Sequence, residues 1–168
     1  MNAFGYFIQA KERLKVPGLA DLQFDGFERL FPTGLSGTPP HLDALAHNDE
    51  TVLAIESKCL EYFSPKAAKF KPKYFEGIVD YRRDGPWFAE MRRLSEQPRS
   101  YACLDAAQLT KHAFGLAWTV PTHATLLYVF WEPDDADRHP MFAQHRAEIA
   151  AFSRRVEGGG PAFCALSY

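Results

Sequence analysis

The run Val52-Leu53-Ala54-Ile55-Glu56-Ser57-Lys58 constrains this chain more than any other stretch, because it carries two opposite charges out of an apolar strand. Side chains of a strand alternate between faces, so Glu56 and Lys58 share one face and Ser57 points to the other. Burying a single charge is costly, and burying two is tolerated when they pair or hold a metal. Upstream, Pro39-Pro40-His41-Leu42-Asp43 supplies a second acidic residue at the start of a strand-like run, Leu42 to Ala46. His47-Asn48-Asp49-Glu50 has turn chemistry, so Leu42–Ala46 and Thr51–Cys59 read as the arms of a hairpin.

An acid, a hairpin, then acid-X-lysine resembles the PD-(D/E)XK nuclease superfamily. Asp43 stands where the first acid of that motif stands, with Pro40 three places before it rather than immediately before. Glu56-Ser57-Lys58 matches the second half without departure. The phrases His41-Leu42-Asp43-Ala44-Leu45 and Ile55-Glu56-Ser57-Lys58 are similar to those of bacterial restriction-endonuclease-like proteins. The resemblance implies an α/β fold, a central mixed sheet flanked by helices with core order α-β-β-β-α-β, spanning residues 1–168 as one domain. It further implies a magnesium-dependent deoxyribonuclease, with manganese as an alternative ion. Asp43, Glu56 and Lys58 would be catalytic, and DNA would be the partner. A homodimer is compatible with such an enzyme, since two copies are needed to cut both strands.

The chemistry accounts for the residue types. Phosphodiester hydrolysis needs a cation to neutralise the phosphate and activate water. Magnesium prefers oxygen ligands, usually one or two carboxylates plus waters. Asp43 and Glu56 on adjacent strands approach one ion from two sides, and Ser57 would add its backbone carbonyl. Lys58 would orient water or steady the phosphate, and an ammonium beside a cation is expected to titrate below its ordinary range. The alternative is a catalytically inactive nuclease-fold module that binds nucleic acid or protein. A pair of exposed charges on a strand would also satisfy the bare spacing, at little energetic gain.

Charge bears on this choice. The net charge is -2 and the pI is about 6.3, which is not the footprint of a strong non-specific DNA binder. Hydrophobic content of 46% fits a globular domain, and no apolar run approaches bilayer length. Cys59, Cys103 and Cys164 are widely separated, which points to a reducing cytoplasm and excludes a cysteine zinc frame. The six histidines show no paired spacing of the zinc-enzyme kind. A nucleophilic-serine elbow and a phosphate-binding P-loop are both missing from the sequence.

Elsewhere the chain reads as follows. Residues 2–15 are weakly helical, and Gln23 to Phe31 is a helical turn or a short strand. Helices are predicted over Gly85–Leu94, Asp105–Leu116 and Met141–Val156, the last ended by Gly158-Gly159-Gly160. Ala124–Trp131 is a continuous apolar strand of the kind buried inside a sheet, and Ala162–Tyr168 is a last strand. Leu53, Ile55, Leu126, Tyr128 and Phe130 form the expected core of that sheet. Lys66, Lys69, Lys71 and Lys73 alternate with Phe70 and Tyr74. They read either as a backbone-gripping segment with aromatic stacking or as a solvated loop over buried aromatics. Arg82 and Arg83 add positive charge nearby in sequence. Gln108, Lys111 and His112 share one helix face. Gln108 and Lys111 are candidate phosphate contacts. His112 stands where exonuclease-like members of the superfamily carry a tyrosine, and otherwise reads as part of a polar helix surface.

Overall fold

A computed structural model describes residues 22–64, 67–77, 85–120 and 123–168. The expected helix over 2–15, together with Lys66, Arg82 and Arg83, lies outside the described residues.

The hairpin forms where the turn chemistry places it. Strand β2 runs His41–His47 and strand β3 runs Thr51–Lys58, antiparallel, with Ala44 opposite Ile55 and Ala46 opposite Leu53. The Asn48 side-chain oxygen accepts the N–H groups of Glu50 and Thr51, each at 2.9 Å, closing the turn. On the outer side of β2 lies strand β1, Gln23–Leu30. Of the residues that suggested a helical turn, Phe24 and Phe27 share a face at a spacing of three because the ladder slips between Phe24 and Gly26, whereas Leu30 follows in regular register. Such a bulge shifts which residue faces which side and breaks the period of two.

Beyond β3 come the helices α1, Lys73–Gly77, α2, Pro86–Glu96, and α3, Ala106–Thr119. Strand β4, His123–Phe130, then lies parallel to β3, and after helix α4, Pro140–Val156, strand β5, Ala162–Ser167, lies parallel to β4. The sheet therefore has five strands in the order β1-β2-β3-β4-β5, antiparallel up to β3 and parallel beyond it. This is an α/β fold with a mixed sheet flanked by helices, consistent with a restriction-endonuclease-like architecture.

The main core joins one sheet face to the three longer helices. Leu126, Tyr128 and Phe130 of β4 and Ala54 of β3 meet Met91 and Leu94 of α2, Leu109 and Leu116 of α3, and Phe152 of α4. A smaller cluster of Ala46, Leu53, Leu127 and Val129 covers the opposite face. Strand β4 is thus buried on both faces, as its unbroken apolar sequence requires. Ile55, expected in the core, is half-buried.

Two local devices fix α3. Asp105 caps its first turn by accepting the Gln108 N–H at 3.0 Å. The preceding turn is tied to α4 by Glu148, whose carboxylate accepts the N–H groups of Ala102, Cys103 and Leu104 at 2.8–2.9 Å. At its other end α3 touches the chain leaving β1. A Cβ on Gly115 would stand 2.5 Å from the Phe31 carbonyl oxygen, a contact that backbone cannot relieve without moving. Gly115→Ala is expected to destabilise the protein by about 1–3 kcal/mol despite alanine's better helix propensity. Chemical denaturation measures this, and a stabilised variant would show that α3 and the Phe31 segment are not in close contact.

Candidate active site

The acid-X-lysine strand delivers its charges to the helix-covered face. Ala54, Glu56 and Lys58 follow one another on the side of β3 that packs into the main core, and Glu56 lies level with Tyr128 of β4. Pairing between β2 and β3 stops at Ala44–Ile55, one step short of Asp43 and Glu56. There the Asp43 carboxylate takes over the role of the ladder and accepts the Ser57 N–H at 2.7 Å. Asp43, Glu56 and Lys58 therefore gather where the two strands part, and Ser57 turns its hydroxyl to the opposite face, toward Tyr168.

Glu56 is 1% exposed, and its two carboxylate oxygens meet different partners. Oε1 accepts from the Lys58 ammonium. Oε2 lies 3.3 Å from His112 Nδ1 of α3, outside hydrogen-bonding geometry, and both atoms are buried without a hydrogen-bond partner among the described residues. Burial raises Glu56 to about 7 in spite of the Lys58 ammonium, with the negative charge of Asp43 acting in the same sense. Asp43 is also raised, mainly by burial and against its hydrogen bond from Ser57.

Lys58 lies above the ordinary ammonium range. Burial pulls it down, but the charge and hydrogen bond of Glu56, with the charges of Asp43 and Glu61, together outweigh burial. The two partners of this pair thus both move upward. Desolvation wins at the more deeply buried Glu56 and pairing wins at Lys58, whose side chain keeps 18% of its exposure.

His112 also departs from expectation. It is not on a polar helix surface but buried, with its imidazole pushed down to about 3 by loss of solvent. Leu109, His112, Ala113 and Leu116 follow the i, i+3, i+4, i+7 pattern of a core-facing stripe, and His112 occupies an apolar slot in it. That spacing is the signal by which the sequence could have found it. A second buried histidine, His145 of α4, contacts Tyr128 Oη through Nε2 at 3.1 Å and stacks on Tyr62 with ring centroids 4.0 Å apart. Nothing in the spacing of these residues marked Tyr128 and His145 as partners.

The basic candidates divide. Lys69 and Lys71 are exposed, and Lys73 is half-exposed on α1. Tyr74 is buried in the core and Phe70 is half-buried, so the aromatics of this segment serve packing and Tyr74 is not a stacking platform. Lys111 lies over the Phe70 ring at 5.2 Å, and burial lowers its affinity for a proton. Gln108, half-buried, contributes its backbone N–H to the Asp105 cap.

Does a hard divalent cation suit these residues? Two carboxylates whose proton affinity is raised chiefly by burial, that of Glu56 also by the charge of Asp43, sit where a divalent cation would favour their ionised forms. No group of three or more His, Cys, Asp or Glu side chains among the described residues is arranged to hold a metal. Two carboxylates, completed by backbone oxygen and water, are the donor set of magnesium rather than of a structural zinc.

A family described as restriction endonuclease associating with ARP matches residues 1–167. The chain belongs to this family. Comparison with curated proteins and with solved structures gave no match. Membership supports a restriction-endonuclease-like protein with a nuclease-like role, and it extends over both the hairpin and the helices that cover it. No helix among the described residues is long and apolar enough to cross a membrane.

Proposed function

We propose that this chain is a metal-dependent deoxyribonuclease of the PD-(D/E)XK type, hydrolysing phosphodiester bonds of DNA in restriction or repair. One observation carries the reading: Asp43, Glu56 and Lys58 converge where β2 and β3 part, on a face roofed by α3. Family membership supports it, because the matching family is one of restriction endonucleases.

Asp43 and Glu56 would hold magnesium, or manganese in its place, with the Ser57 carbonyl as a further oxygen ligand. The bound ion supplies charge neutralisation at the phosphate and a more acidic water. The chain's own residues do the rest. Asp43 is kept in place by the Ser57 N–H, which orients its second oxygen. Lys58, less buried than Glu56, would leave it for a phosphate oxygen or for the attacking water. Lys111, Gln108, the exposed Lys69 and Lys71 and the half-exposed Lys73 would offer phosphate contacts, and Lys66 is a further candidate by sequence. A homodimer would bring two such sites to the two strands of a duplex. Unpaired Cys59, Cys103 and Cys164 suit work in a reducing cytoplasm.

The test is nicking of supercoiled plasmid by the purified wild-type chain with magnesium or manganese, and again with a chelator. Cleavage that requires the cation is the expected result. Cleavage that survives chelation overturns the metal-dependent reading. DNA retention without cleavage under any cation favours the inactive binding module.

A further inference from the structure

The covering helix has a feature that the acid-X-lysine layout does not require. Glu56 Oε2 and His112 Nδ1 face each other at 3.3 Å, both buried, and neither has a hydrogen-bond partner among the described residues. Two buried polar atoms left unsatisfied side by side are costly, whereas a small turn of the ring makes them donor and acceptor. The other Glu56 oxygen is taken by Lys58, from the same strand. Donors from two different elements therefore bracket one carboxylate.

We propose that His112 is a positioning residue: its Nδ1–H donates to Glu56 Oε2 and fixes the plane of the carboxylate. This rests on the reading of Glu56 as a cation ligand. The physical reason is the softness of the terminal torsion of glutamate, which is broad and twofold rather than confined to staggered wells. A single donor at Oε1 leaves the carboxylate free to rock about that torsion. A second donor at Oε2, delivered by a rigid helix, selects one orientation of the lone pairs. Helix α3 is itself fixed by the Asp105 cap and by the Gly115–Phe31 contact, so the aim of the imidazole is set by backbone. Donors that orient ligands in this way typically carry 10–100-fold of metal affinity.

The experiment measures manganese binding by calorimetry or by electron paramagnetic resonance on the intact chain, at one pH, with circular dichroism as a check of fold. The variants are His112→Phe and His112→Leu, which keep bulk and remove the donor, and His112→Asn, whose amide nitrogen stands near the position of Nδ1. Asp43→Ala and Glu56→Ala serve as controls. The expected result is about a 10–100-fold loss of manganese affinity for the Phe and Leu variants that fold. His112→Asn is expected to stay within about threefold of wild type, because it restores a donor. If the Glu56→Ala control loses manganese while His112→Phe or His112→Leu binds as wild type does, the positioning role is overturned. An Asn variant as weak as the Phe variant overturns it equally. Undiminished binding by the Asp43→Ala and Glu56→Ala controls instead refutes the cation site itself.

Discussion

Asp43→Ala and Glu56→Ala are each expected to reduce magnesium-dependent DNA nicking by about a thousandfold or more, with the fold preserved. Several kcal/mol of charge stabilisation is attributed to the ion, and about 1.4 kcal/mol accounts for each factor of ten in rate. Removing either carboxylate removes an oxygen ligand from a site that has two, so little residual affinity is left. Lys58→Ala is expected to behave differently. It should retain manganese binding while losing about a hundred- to a thousandfold in turnover, the usual effect of removing one group aimed at developing charge. Plasmid nicking read beside manganese titration separates the two outcomes. Variants as active as wild type would take these residues out of the catalytic role.

Glu56→Gln should stabilise the cation-free protein at alkaline pH and lose that advantage as the solution is acidified. Burial holds the folded-state value of Glu56 at about 7, above its ordinary 4.5. A raised carboxyl binds its proton more tightly in the folded state, so the associated stability is full below pH 4.5 and falls away as pH climbs through 7. The loss reaches up to about 3 kcal/mol at pH 8. Glutamine imitates the protonated acid and escapes it, while Lys58 keeps Asp43 as a neighbouring negative charge. The buried histidines act in the opposite direction. His112 and His145, lowered to about 3 and about 4, contribute stability above pH 6.5 that is lost on acidification. The difference between variant and wild type isolates Glu56 from them. Thermal melts in chelator between pH 4.5 and 8 measure it, and a gap that stays constant across that range would rule the account out.

The parts of the site that follow from spacing along one chain segment were readable in the sequence. Glu56 and Lys58 had to share a face once Val52–Ile55 formed a strand, and Asn48 had to turn the chain back on Asp43. What the residues could not report was depth. Where Lys58 and Glu56 titrate depends on how deeply each is covered, and that is decided by packing far away in sequence. His112 was hidden for a related reason. Its polar character suggested a wet surface, whereas its place in the Leu109–Leu116 stripe puts it inside. Strand β1 stayed ambiguous because a single bulge puts Phe24 and Phe27, three apart, on one face. Tyr74, taken together with Phe70 as a possible stacking pair, proved to be core, with its ring against Phe114 of α3.

The order in which the chain emerges gives the hairpin a second significance. Asp43, Glu56 and Lys58 all belong to β2 and β3, whereas α3 and β4, which desolvate them, come later. Local hairpins close in about 1–10 μs, and parallel strands joined by long crossovers pair far more slowly. The charged groups can therefore find one another while still hydrated, and a neutralised pair rather than a lone ion is then carried into the interior. Until β4 docks, β3 is a bare sheet edge open to strands of other molecules. Charges pointing inward from such an edge discourage that pairing. The same Glu56 and Lys58 would then guard the nascent protein against aggregation before they serve the folded one.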